Sequence, residues 1–175
     1  MRNRVYIYFS KPKNIFWLPL SFLIRLIESP NKCKLHHSSH TAIELDGNVY
    51  EAVLFIGVRK IPFYSWAKKN TMEKKYYLDV SEDDLENITY FAEGSLGIPY
   101  ATLELFGLLY SKIMLNLFNK KVNNPLNLIS RKVKCTEFVL ESLSKVHHIV
   151  LKSDINNIGV RETELILAPI CKEIL

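Results

Sequence analysis

The sequence predicts a single α+β domain, and three features carry that expectation. An Asp46-Gly47-Asn48 turn lies between two runs of β-formers, Thr41 to Leu45 and Val49 to Ile56, which is a hairpin signature. A further alternating run, Val5 to Phe9, opens the chain as a strand. Apolar residues at helical spacing then fill long stretches, above all Ala101 to Phe118. With 175 residues, 48% of them hydrophobic and 23% charged, the chain is large enough to bury its own core and is not disordered by composition. No internal repeat divides it, so residues 1–175 read as one domain.

The elements follow in order. After the first strand, Lys11-Pro12-Lys13-Asn14 reads as a turn, and Leu18 to Ile27 as a helix stopped by Pro30. The stretch Ile15 to Ile27 is the one membrane candidate. It falls short of the roughly 20 residues a span requires and contains Pro19 and Arg25. No small-residue cleavage site follows it, so it is a poor signal peptide as well. A buried or interface-lying helix and a cytoplasmic location are expected, with at most weak contact with a membrane surface. Beyond the hairpin, Gly57 and Pro62 break the strand pattern before a short helix at Tyr64 to Lys69, and Lys75 to Val80 is another strand. Ser81 caps a helix whose first turn holds Glu82, Asp83 and Asp84, and which runs to about Glu93. The long helix Ala101 to Phe118 is followed by a loop, Asn119 to Asn127; residues 103–130 are a candidate insertion or lid. Cys135 begins a helix that buries Phe138, Val139, Leu140 and Leu143, and Ile149 to Leu151 and Leu165 to Leu167 are expected to be final strands.

Charge excludes little but is informative in its layout. The net charge is +5, yet the basic residues come as scattered pairs such as Lys68-Lys69, Lys74-Lys75 and Lys120-Lys121. That is a solvated surface and no nucleic-acid stripe, so no specific nucleic-acid partner is expected. Three cysteines, Cys33, Cys135 and Cys171, are an odd count without framework spacing, which argues for a reducing compartment. Richness in Asn, Ile, Lys and Tyr points to an AT-rich coding genome, bacterial or viral.

Among the thiols, Cys135 has the neighbourhood a nucleophile needs. It follows Arg131, Lys132 and Lys134 and opens a helix, and both positive charge and a helix N-terminus favour thiolate. The free N–H groups there would also suit an oxyanion. A buried thiol packing as a small hydrophobe is the alternative, and local sequence leaves both open. A thiolate nucleophile needs a base. Of five histidines, His147 and His148 sit at the far end of the same helix, roughly 18 Å away at 1.5 Å per residue. His40, at the start of the Thr41 strand, is the preferred base. Glu51 on the return strand is the acid to orient it, with Glu44 as rival and a solvated strand carboxylate as the alternative for Glu51. Cys33, His36, His37 and His40 form a compact set of zinc-type donors, a second use of the same histidine; the spacing fits no standard finger.

Taken in order, Ser39-His40-Thr41-Ala42-Ile43, Val49-Tyr50-Glu51-Ala52, Gly97-Ile98-Pro99-Tyr100 and Cys135-Thr136-Glu137-Phe138-Val139 resemble the pattern of the circularly permuted NlpC/P60 hydrolases. This papain-like branch includes the YiiX-like bacterial proteins and poxvirus counterparts, and the resemblance covers about residues 5 to 145. Histidine precedes cysteine here, as the permuted branch implies. The resemblance implies a small antiparallel sheet or barrel packed against helices. It implies Cys135 as nucleophile, His40 as general base and acid, Glu51 as the residue orienting it, and Tyr100 as a substrate-pocket residue, with no metal or other cofactor. Thr41 stands where valine is common, and Glu137 matches the motif with no assigned role. The expected activity is a thiol hydrolase or acyltransferase cleaving an amide, ester or thioester. Its substrate would be a peptide, a peptidoglycan fragment or an acyl lipid. Two rivals belong to other classes: a catalytically inactive binding or inhibitory module on the same scaffold, and a zinc-binding module at Cys33, His36, His37 and His40.

Overall fold

Alternation along the strands and the apolar stripes of the helices resolve into a six-stranded antiparallel sheet with six helices, an α+β architecture. The computed structural model describes residues 3–14, 18–29, 36–123, 125, 132–147 and 158–174. Strand β1 (Asn3–Pro12) is followed by helix α1 (Leu18–Ile27), and strands β2 (His40–Leu45), β3 (Asn48–Val53) and β4 (Gly57–Pro62) form a meander. Helix α2 (Phe63–Lys69) leads into β5 (Asn70–Val80); helices α3 (Glu82–Gly94), α4 (Thr102–Phe118), α5 (Cys135–Leu143) and α6 (Val160–Leu167) precede the short β6 (Lys172–Glu173). The strand order is β4-β3-β2-β1-β5-β6.

The two faces of the sheet bury different sets, as period-two alternation requires. Ile7, Phe9, Ile43, Leu45, Tyr50 and Ala52 pack with Ile88 and Ala92 of α3, Phe138 to Leu140 of α5 and Leu167 of α6 in the main core. Tyr8, Ala42 and Val49 pack instead with Trp66 of α2. A third cluster joins Leu105 and Leu109 of α4 to Leu54 and to Leu20 and Ile24 of α1. Among the described residues no helix is long and apolar enough to cross a membrane.

Several expected boundaries differ, each for a physical reason. The first strand runs on through Lys11 and Pro12, because β5 starts at Asn70 and offers it a long ladder down to Pro12↔Asn70. The return strand of the hairpin ends at Val53, where Phe55 takes a left-handed φ of 64° and turns the chain. Gly57 to Pro62 is a strand rather than a break, paired with β3 from Val53↔Gly57 to Asn48↔Pro62. Leu165 to Leu167 belongs to helix α6, whose buried Val160, Thr163 and Leu167 follow a helical period. Helix α5 ends at Leu143, so His147 lies beyond it, with Nδ1 2.6 Å from Asp84 Oδ1. The strand expected at Ile149 to Leu151 lies outside the described residues.

Gly57 cannot be another residue without cost. Its φ is +89°, and an added Cβ would lie 2.4 Å from the Ile98 carbonyl oxygen. That approach is built in, since Val58 N–H donates to Ile98 O (2.9 Å) and Gly97 N–H to Val58 O (2.9 Å). The bonds extend the edge of β4 by the segment that ends in Tyr100. Gly57→Ala is expected to lose about 2 kcal/mol or more, from left-handed strain plus the displaced carbonyl. Thermal denaturation should show the midpoint about 4–8 °C lower; an unchanged midpoint would mean that this junction yields freely.

Candidate active site

The hairpin sets the first two groups. Ile43 pairs with Tyr50 across β2 and β3, so Glu51, one residue further on, stands diagonally across from His40 on the same face. His40 Nε2 lies 2.7 Å from Glu51 Oε2. Trp66 Nε1 donates to the same oxygen at 2.9 Å, while Arg59, directly across the β3–β4 ladder, forks onto Oε1 through Nε (2.9 Å) and Nη2 (2.6 Å). The carboxylate is 1% exposed and fully engaged. Burial alone would raise its pKa, but His40 and Arg59 together bring it down to about 2. Glu44, the rival acid, accepts from Tyr8 OH instead.

The thiol comes from the other side. The segment before α5 pairs with the segment around Tyr100 through a single bridge: Val133 N–H donates to Pro99 O and Ala101 N–H to Val133 O, each at 3.1 Å. This parallel bridge sets Tyr100 beside Cys135. Glu137, buried one turn into α5, accepts from Lys134 N–H (2.9 Å) and pairs with Lys134 Nζ (2.6 Å). It thus closes the helix start that carries Cys135, a structural role for the motif glutamate.

Cys135 and His40 interact directly, and with Nε2 on Glu51 the ring nitrogen left for the sulfur is Nδ1. Burial would raise the thiol's pKa, yet His40 and then the N–H and hydroxyl of Thr41 bring it below its ordinary value. The same contacts act on His40: burial disfavours its charge, but the Cys135 sulfur and Glu51 carry its pKa up to about 10. A thiolate–imidazolium pair is the protonation state these directions favour. Tyr100, half-buried, lies against the same sulfur; desolvation first, then the thiolate's charge, raises its pKa, so the phenol stays protonated and donates to Cys135. Neither described member of the cationic run expected to activate the thiol is among the groups that lower its pKa. Lys134 is buried on Glu137, Lys132 is exposed, and Arg131 lies outside the described residues.

His40, Glu51, Tyr100 and Cys135 all line one cavity of about 550 Å³. Leu20, Ile24, Leu54 and Leu105 form an apolar wall, and Lys13, Lys68 and Lys69 supply positive charge. Three contributors to this site escaped the sequence reading. Arg59 was hidden because Gly57 and Pro62 disguise its strand. Trp66 reaches Glu51 from a separate helix, and Thr41 looked like an inert replacement for valine. Of the proposed zinc donors, His40 belongs to this site and not to a cluster with His36 and His37, and Cys33 lies outside the described residues.

No family model matches the chain, and no curated protein or solved structure matches it either.

Proposed function

We propose that the chain is a cysteine hydrolase or acyltransferase with a circularly permuted papain-like, NlpC/P60-type fold, acting on an amide, ester or thioester. The observation that carries this reading is the unbroken line from Cys135 through His40 to Glu51 inside an open cavity. The Cys135 thiolate attacks the carbonyl carbon, an S–C bond forms, and the π electrons move to the oxygen. Tyr100 O–H and the N–H groups at the start of α5 would stabilise that developing charge. Collapse of the intermediate breaks the bond to the leaving group, which takes the proton from His40. Neutral His40 then draws a proton from water or another acceptor, which attacks the acyl-enzyme and releases Cys135.

The apolar wall of Leu20, Ile24, Leu54 and Leu105 favours an acyl chain over a peptide or peptidoglycan fragment as the bound group. Exposed Phe22, Leu23 and Leu26 on α1, and Phe106, Tyr110 and Phe118 on α4, continue that apolar character outward. They suit a lipid presented at a surface.

The test is alkylation of Cys135 across pH, followed by peptide mass mapping so that Cys33 and Cys171 are scored separately. The midpoint should fall well below the ordinary thiol value of about 8.5 and move up in His40→Ala. A panel of acyl esters and thioesters should leave the matching acyl mass on Cys135 and none on a Cys135→Ala chain. A midpoint at the ordinary value, the same with and without His40, would mean an inert binding module on this scaffold.

A further inference from the structure

We propose that His36, His37 and Glu164 form a zinc site that clamps the loop leading into His40 to the C-terminal helix α6. Their donor atoms lie within 4.8 Å of one another. His36 Nε2 stands 3.5 Å and His37 Nε2 2.9 Å from Glu164 Oε2. Donors around a tetrahedral zinc, each about 2.0–2.1 Å from the metal, stand about 3.3 Å apart, so these separations fit ligand edges.

The orientation of each group points the same way. His36 is 7% exposed, and its Nδ1 lies 2.9 Å from the Ser38 carbonyl oxygen. The Ser38 N–H also lies 3.4 Å from Nδ1, a longer contact than the one to the carbonyl, so Nδ1–H on the carbonyl is the better-made bond, and Nε2 is turned towards Glu164. Nε2 and the Glu164 carboxylate oxygen thus face each other, an arrangement that either a metal cation or a proton on Nε2 satisfies. His37 Nε2 is shielded from solvent and, although close to Oε2, is out of line for a hydrogen bond. Glu164 is turned so that Oε1 takes Lys74 Nζ (2.9 Å) and Tyr76 OH (3.4 Å), leaving Oε2 to the histidines. A backbone carbonyl orienting the His36 imidazole, with Lys74 and Tyr76 anchoring the carboxylate, is what the second shell of a metal site provides. Two imidazoles and one carboxylate form a zinc set with one position left for water or another ligand. The site is separate from Cys135, and the reading of that thiol does not depend on it.

The experiment uses the tag-free full chain, gel-filtered in metal-free buffer and titrated with zinc against a colorimetric chelator, with cobalt(II) as a spectroscopic substitute. One zinc per chain, tetrahedral cobalt absorption and a raised thermal midpoint with zinc are expected. His37→Ala and Glu164→Gln should each weaken binding by about tenfold or more, with His37→Ala as the safer variant because its ring is partly exposed. Cys135→Ser and His147→Ala should bind as wild type does. Zinc that persists in both ligand variants, zinc lost in Cys135→Ser, or no bound zinc at pH 7.5 would overturn the site. The last result would leave a protonated His36–Glu164 ion pair.

Discussion

His40→Ala is expected to lower turnover of the acylating substrate by about 10³- to 10⁴-fold, because one ring performs two tasks. Its positive charge keeps Cys135 as thiolate; without it the remaining influence on the thiol is mainly burial, which raises the pKa. In the proposed mechanism the same ring delivers the proton to the leaving group and later takes one from the acceptor, and no other described histidine meets the sulfur. His36 and His37 lie on Glu164, and His147 on Asp84. Stability should barely change, by about 1 kcal/mol or less, since Glu51 keeps Arg59 and Trp66 and the imidazole is partly exposed. Turnover rates and thermal midpoints measured side by side separate the two effects. A variant within tenfold of wild type would remove His40 from the proton path.

What was legible in the sequence was what local signals determine. Asp46-Gly47 names a hairpin, a hairpin implies a register, and the register puts Glu51 diagonally across from His40. Ser81 and its acids name the start of α3, where Asp84 N–H donates to Ser81 Oγ at 3.1 Å. Cys135 at the head of an apolar helix was equally readable. Signals failed where one residue type has two meanings. Gly57 and Pro62 are breakers by propensity, but here one sits in a left-handed turn under a carbonyl and the other closes a strand end, with Arg59 between them. Leu165 to Leu167 is too short a run to state a period, and only its packing with Val160 and Thr163 does so. The basic run before Cys135 looked like an activating field, but its third member is consumed by Glu137 one turn away.

The cavity itself was not legible, because it is made by long-range meetings. Its apolar wall joins α1, the turn after β3 and α4, elements far apart in sequence whose stripes looked like ordinary core. Its chemical end joins the start of β2, the middle of β3 and the start of α5. In the sequence the site is therefore marked only by the order of short motifs, and the partners that hold those motifs rigid lie outside them. Rigidity is the point: Glu51 is useful to His40 only because Arg59 and Trp66 fix its other lone pairs.

That dependence makes Glu51 the position with the largest expected effect on the fold. Glu51→Ala leaves the Trp66 indole N–H, fully buried, without an acceptor and the Arg59 guanidinium without its carboxylate. Removing one member of such a buried pair costs about 3–5 kcal/mol, and Arg59, which is 27% exposed, recovers part through water. About 3 kcal/mol is expected, a fall of roughly 6–12 °C in the thermal midpoint. Glu51→Gln keeps an acceptor of the same shape and isolates the charge. Its signature is a pH dependence whose sign follows from the lowered carboxylate pKa. The folded value is about 2 against an ordinary 4.5, so the charge stabilises the fold above pH 4.5, and that contribution drains away as pH falls towards 2. Urea midpoints measured from pH 6 to pH 2 should therefore fall more steeply for wild type than for Glu51→Gln, and the two curves should converge at the acid end. Parallel curves would show that Glu51 carries no charge worth protecting and would withdraw it as the group that orients His40.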